Sequence, residues 1–234
     1  MSNQFFKFKK FLVRHRDAAM KVGVDGVLLG AWASAESPKR ILDIGSGTGL
    51  IALMLAQRFE NARITAVEIN RSAFEESEFN FNNSPFSDRM KAVNLPIQEF
   101  KDENKFELIV SNPPYFKPNH DNGSDRSLAR QQTELSFEDL SKSVEKLLVT
   151  AGNFGLILPF ESENDFIRIA SKNLLYPKKI TRVRGNPQAE VKRSLMLFSN
   201  TKSDTEIDEL TIEKSRNVYT EEYIGLTKEF YLKM

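Results

Sequence analysis

The chain has 234 residues, enough for one sizeable α/β core, and its 33 lysines and arginines against 32 acidic residues leave a formal charge of +1. That balance excludes a global electrostatic pull toward nucleic acid, so any such contact must rest on a local patch. With no cysteine, and histidine only at His15 and His120, disulfides, thiolate chemistry and a histidine-based metal centre are not expected.

Met1 to Lys10 is polar, basic and aromatic and lacks the apolar core of a signal peptide. No run approaches the ~18 apolar residues of a membrane span, so a cytoplasmic location with no membrane partner is expected. From Phe5 to Arg16 aromatic and basic residues alternate, as in a short edge strand or a surface arm. Lys7, Lys9, Lys10, Arg14 and Arg16 suit phosphates, and the phenylalanine faces suit unpaired bases. Period-two burial of the phenylalanines against the domain accounts for the same pattern. Met20 to Trp32 spaces three glycines among apolar residues, and Asp25 is expected to cap a helix starting near Val27. Residues 1–37 thus read as an arm and helix ahead of a single globular unit, 38–234.

Arg40 to Ile44 reads as a strand, Gly45-Ser46-Gly47-Thr48-Gly49 as a loop, and Leu50 to Gln57 as a helix, which is a Rossmann-type turn. The glycines let the backbone turn tightly and approach a nucleotide-like ligand. A dinucleotide fingerprint needs Gly or Ala at the sixth position from Gly45, where Leu50 stands, so a dinucleotide is disfavoured. The spacing instead resembles motif I of class I S-adenosylmethionine-dependent methyltransferases, whose loop lies against the methionine part of the cofactor. The next strand, Arg63 to Glu68, ends in a carboxylate where that fold accepts both ribose hydroxyl hydrogens. Arg71 to Asn83 is a helix with Phe74, Ser77, Glu78 and Phe81 near one face, and Met90 to Asn94 a weak strand. The methyltransferase pattern often follows this strand with an Asp for the cofactor adenine. Here there is none, and Asn94, Gln98 or Asp102 are the candidate acceptors.

Phe106 to Ser111 is an apolar strand that runs into Asn112-Pro113-Pro114-Tyr115. Two prolines stop the strand and hold Asn112 at its end in extended geometry. An exocyclic amine is a poor nucleophile because its lone pair is delocalised into the ring. Two acceptors, the Asn112 side-chain oxygen and the Pro113 carbonyl, would take its hydrogens and localise charge on nitrogen, with Tyr115 stacked on the flat substrate. The motif specifies a planar nitrogen acceptor, and a glutamine amide suits it as well as adenine. Lys117 to Glu134 is a polar loop in which Arg126 and Arg130 either meet phosphates or form surface charge. Phe137 to Val149 is a helix, Asn153 to Pro159 a buried strand, and Glu161 to Leu174 a helix. Tyr176 to Arg184 and Lys192 to Phe198 form a terminal hairpin, and Tyr219 to Leu232 is a last helix capped by Thr220. The order predicts a Rossmann-like α/β class I methyltransferase fold: a seven-stranded, mostly parallel sheet with an antiparallel terminal hairpin and helices on both faces.

With these residues the chain resembles the bacterial tRNA1(Val) (adenine-N6)-methyltransferases, which modify adenine 37 beside the anticodon. The likeness runs through Met20 to Trp32, Ala52 to Gln57, Ser111 to Tyr115, Ala129-Arg130 and Phe230-Tyr231-Leu232. It implies S-adenosyl-L-methionine as cofactor and the tRNA anticodon loop as partner. It implies Asn112 and Tyr115 as amine acceptor and stacking ring, and Asp43, Gly45, Gly47 and Glu68 as cofactor contacts, with Ser46 and Gly49 in the same loop. Two alternatives stand beside it: a protein glutamine methyltransferase, and a non-catalytic RNA-binding module. The intact glycine loop and Glu68 argue against the second.

Overall fold

Strands buried on both faces have no polar side to show, and β3 (Arg40–Ile44), β6 (Phe106–Ser111) and β7 (Leu148–Pro159) therefore read as nearly unbroken apolar runs. The computed structural model, which describes residues 4–16, 22–114 and 135–233, places them inside an eight-stranded sheet. It is completed by β4 (Arg63–Val67), β5 (Met90–Val93), β8 (Tyr176–Arg184), β9 (Val191–Ser199) and β10 (Glu206–Thr211), in the order β10-β8-β9-β7-β6-β3-β4-β5. Only β9 runs antiparallel to its neighbours, between β7 and β8; the other pairings are parallel. The expected hairpin is thus present, with one strand more than the seven anticipated. That strand, β10, lies at an edge and buries only Leu210, so its hydrophobic pattern is faint.

Successive residues feed opposite faces. Ile41, Leu108, Val110 and Leu195 join one core, and Leu42, Ile109 and Met196 join the other. The first face carries α1 (Val24–Trp32), α2 (Leu50–Arg58), α3 (Arg71–Asn82) and α6 (Glu221–Thr227); the second carries α4 (Phe137–Leu147) and α5 (Glu163–Lys172). Two arginines terminate helices from a distance. Arg58 donates to the carbonyls of Gly30 and Ala33 at the end of α1, and Arg89 to those of Ala56, Phe59 and Ala62 at the end of α2. Each satisfies carbonyls that a helix end leaves unpaired. Burial lowers the pKa of Arg58 to about 10, which still leaves it charged near neutrality.

Phe5 to Arg14 folds as a hairpin of β1 (Phe5–Lys7) and β2 (Leu12–Arg14) rather than a single edge strand. Phe8 and Phe11 are buried, stacked with ring centroids 4.8 Å apart, and Tyr231 packs on Phe8 at 5.8 Å. The Lys9 amide donates to the Phe230 carbonyl at 2.8 Å, so the hairpin is tied to the far end of the chain. Thr220 caps α6 as expected, accepting from the Tyr223 amide. Asp25 does not cap α1. The helix starts at Val24 with Gly23 as its N-cap, and Asp25, in the first turn, accepts instead from Arg193 Nε on β9 at 2.7 Å. On α3, Glu78 is exposed, while Glu76 and Asn80 are buried.

Candidate active site

The parallel register brings four strand ends level. Val93 pairs with Val67, Val67 with Ile44, and Ile44 with Ser111. The next residues are Asn94, Glu68, Gly45 and Asn112, one from each strand, on the carboxyl edge where open α/β sheets bind ligands. Hydrogen bonds weld the row. The Gly45 amide donates to the Val67 carbonyl at 2.8 Å, the Glu68 amide to Val93 at 3.0 Å, and Ser111 Oγ to Ile44 at 2.9 Å.

Gly45, Gly47 and Gly49 all have positive φ, at 71°, 55° and 78°. A Cβ at Gly45 or Gly47 would meet no atom within 4 Å, so this part of the loop presents bare backbone to open space. At Gly49 a Cβ would overlap the Phe81 ring, which makes that glycine a packing requirement as well. Beneath the loop, Asp43 shares the face of Ile41 and is fully buried. Its Oδ2 accepts from the Ala52 amide at 3.2 Å, supplying α2 with the acceptor that its Gly49 N-cap lacks. Asp43 Oδ1 is buried with no hydrogen-bond partner, as is Ser46 Oγ. Burial raises the Asp43 pKa to about 7; the Ala52 hydrogen bond opposes this and the negative Glu68 adds to it. A buried carboxyl oxygen without a partner is an open place for a hydrogen-bond donor.

Glu68 is also buried. Its Oε2 accepts from the Gly47 amide and its Oε1 from the Asn70 amide, both at 2.8 Å. Each carboxylate oxygen retains a second lone pair for a hydroxyl. The Asn94 amide nitrogen donates to the carbonyls of Glu68 and Ile69, at 2.8 and 3.0 Å, and thereby holds the end of β4. Asp102 is removed from the adenine candidates, because it pairs with Arg40 Nη2 at 2.5 Å at the opposite, amino edge. A cavity of about 300 Å³ also lies at that amino edge, between Arg63, Lys91 and Lys101, away from the carboxyl edge that carries Gly45, Glu68 and Asn112.

Asn112 is half-buried and Pro113 buried at the end of β6. Tyr115, Arg126 and Arg130 lie outside the described residues. In the hairpin Lys7, Lys9, Lys10 and Arg16 are exposed, with Lys9 Nζ donating to the Lys228 carbonyl at 2.6 Å. Arg14 is engaged internally: its Nε donates to the buried Glu76 at 2.9 Å, and its guanidinium lies 3.5 Å from the centre of the Phe79 ring. Sequence reasoning passed over Glu76 and Asn80. Their signal was a pair of polar residues four apart on the face of α3 that also carries Phe81.

Residues 25–150, more than half of the chain, match the family model of the methyltransferase small domain. Among solved structures, a crystal structure described as a predicted O-methyltransferase from Agrobacterium tumefaciens superposes with a TM-score of 0.68 at 20% identity, covering 88% of this chain and 96% of that one. A Pyrococcus furiosus methyltransferase gives 0.54 at 20% identity, covering 75% and 81%. At that identity these neighbours establish the fold. Among curated relatives, proteins named tRNA1(Val) (adenine(37)-N6)-methyltransferase are 49% identical in Flavobacterium psychrophilum, over 98% of this chain and all of that one. The namesakes from Christiangramia forsetii and Phocaeicola vulgatus are 48% and 47% identical, over the whole of both chains in each case. With an intact glycine loop, a buried carboxylate bonded to that loop and an Asn-Pro-Pro turn on one sheet edge, and with this similarity from end to end, the chain belongs to the tRNA1(Val) (adenine(37)-N6)-methyltransferase family.

Proposed function

We propose that the chain methylates the exocyclic N6 amine of an adenine in tRNA, at position 37 of the anticodon loop of a valine tRNA, with S-adenosyl-L-methionine as cofactor. The observation that carries this reading is the level placement of Asn112 beside Gly45 and Glu68, in a chain that belongs to this family. The residues fit the cofactor on three counts: the unpaired buried Asp43 Oδ1, the bare backbone at Gly45 and Gly47, and a Glu68 carboxylate already turned toward the loop. When bound, S-adenosyl-L-methionine supplies an electrophilic methyl on its sulfonium.

The chain's own residues do the rest. Asp43, with Ser46 beside it, would hold the ammonium of the methionine part, Gly45 to Gly49 would lie along that part, and Glu68 would accept from the ribose hydroxyls. Asn94, oriented by its two bonds to the β4 end, would present Oδ1 on the adenine side. Asn112 Oδ1 and the Pro113 carbonyl would accept the two hydrogens of the substrate amine, aim its lone pair and stabilise the charge that grows on nitrogen. Tyr115 would stack on the base. An anticodon-loop base is already accessible, so no duplex has to be opened. Lys7, Lys9, Lys10 and Arg16, with Arg126 and Arg130, would meet phosphates, while Arg14 anchors the hairpin. A tRNA substrate supports a cytoplasmic location for the reaction.

The test is incubation of the protein with unmodified valine tRNA and labelled cofactor, followed by nucleoside mass spectrometry. The expected product is N6-methyladenosine confined to position 37. Recovery of no methylated adenine, with label on a release-factor glutamine, would overturn the reading in favour of protein methylation.

A further inference from the structure

The Asn80 side chain, 2% exposed, joins two segments far apart in sequence. Its Oδ1 accepts from the Arg14 amide at 2.7 Å, and its Nδ2 donates to the Arg14 carbonyl at 2.9 Å and the Thr48 carbonyl at 2.9 Å. Pairing with both the N–H and the C=O of one residue is what a neighbouring strand would do for β2, so the amide stands in for that strand. Its second N–H reaches the carbonyl lying between Gly47 and Gly49. The surroundings stiffen this junction: Glu76 and the Phe79 ring hold the Arg14 side chain, and Phe81 fills the space against Gly49. The loop glycines bring no side chains to hold the loop, which leans on bonds from its neighbours, Glu68 and Asn80 among them, and a buried amide with all its polar atoms paired is costly to disturb.

We propose that Asn80 is a positioning residue that couples the cofactor loop to the basic N-terminal hairpin, so that cofactor on the loop and RNA on the hairpin bind with positive cooperativity. The proposal rests on the reading above, in which the loop holds the cofactor and the exposed lysines Lys7 and Lys10 meet RNA. Both ligands require the same docked arrangement of hairpin, α3 and loop. Whichever binds first orders it, and the second then binds at lower entropic cost. The coupling is reciprocal, and a factor of about 5 to 150 is the usual range for such links.

The experiment uses the full chain and S-adenosylhomocysteine, first without RNA. Binding is measured by calorimetry and the amides of Phe8, Arg14 and His15 are followed by hydrogen exchange. In the wild type S-adenosylhomocysteine is expected to slow exchange at these hairpin amides. In Asn80→Ala it should still bind, within about tenfold of wild type, but leave hairpin exchange unchanged. Unmodified tRNA should tighten S-adenosylhomocysteine at least fivefold in the wild type and by a factor near one in the variant. A purely structural role for Asn80 would lower stability without altering that ratio. Should Asn80→Ala fold poorly, Glu76→Gln, which loosens Arg14 and spares the Thr48 bond, is expected to lower the ratio partway. Hairpin exchange unaffected in the wild type despite binding, or an unchanged ratio in a folded variant, overturns the coupling. Failure of the wild type to bind S-adenosylhomocysteine at all would overturn the cofactor reading itself, and calorimetry separates the two failures.

Discussion

The Gly47 amide donates to Glu68 Oε2 at 2.8 Å, so the loop after β3 and the carboxylate after β4 are fastened to each other. With the Asn70 amide on Oε1, both carboxylate oxygens are oriented by backbone donors before any ligand arrives. Glu68→Gln would turn an amide N–H toward one of these donors and lose a charge-assisted bond, typically worth about 1.5–3 kcal/mol. The expected result is a roughly 10- to 100-fold weaker affinity for S-adenosylhomocysteine by calorimetry.

Asn112→Ala should separate chemistry from cofactor binding. Asn112 stands at the end of β6, on the strand next to the one that carries the glycine loop. Loss of one acceptor aimed at developing charge costs about 10²–10³ in turnover. Single-turnover methylation is expected to fall by that much, with the dissociation constant for S-adenosylhomocysteine within about twofold of wild type.

Asp43 predicts a pH dependence. Its carboxyl is held at about 7 in the fold against 3.8 for the ordinary group, chiefly by burial. Between those values the folded chain keeps a proton that the unfolded chain has lost. The contribution is therefore fully present below about pH 3.8 and is lost as pH rises through about 7, a span of roughly 4 kcal/mol at about 1.4 kcal/mol per unit. Urea unfolding across this range should show a shallower decline for Asp43→Asn. A bound ammonium favours the ionised carboxylate, so S-adenosylhomocysteine should bind more tightly as pH rises through about 7, and this gain should vanish in Asp43→Asn.

The loop glycines divide into two kinds. Gly49→Ala would force a Cβ onto the Phe81 ring at φ 78°, and a loss of more than about 2 kcal/mol in unfolding free energy is expected. Gly47→Ala meets no atom in the fold and pays only for φ 55°, about 1–2 kcal/mol. Its methyl stands where the cofactor would lie, so its larger effect should appear in S-adenosylhomocysteine affinity. Melting curves and calorimetry on the same two variants distinguish them.

Lys7 and Lys10 are exposed on the hairpin, while Phe8 and Phe11 are buried beneath them. Lys7→Glu with Lys10→Glu should raise the Michaelis constant for tRNA and flatten its dependence on log salt by about two phosphate contacts, with little change in melting temperature. An unchanged salt slope would remove the hairpin from the RNA interface.

Much of the site was legible because it is built from local rules. The G-x-G-x-G spacing favoured positive φ, the prolines after Asn112 stopped β6, and the apolar runs in β6 and in the second half of β7 announced burial on both faces. Parallel crossover order then implied that Gly45, Glu68 and Asn112 share an edge. Pattern was weaker where a segment shows one face to solvent, as in β10, or where a polar residue has two plausible duties, as with Asp25 and Asn94.

The sequence by itself determined the order of strands and helices from β3 to β9, the glycine loop and the Asn-Pro-Pro turn, since these follow from backbone sterics and from which residues avoid water. Only the tertiary structure decided what the polar side chains do. It gave Asp25 to Arg193, Asp102 to Arg40, Arg58 and Arg89 to the ends of helices they do not precede, and Asn80 to both Arg14 and Thr48. Such pairings join residues tens of positions apart, and a hydrogen bond's partner depends on ångström geometry that spacing along a chain does not encode.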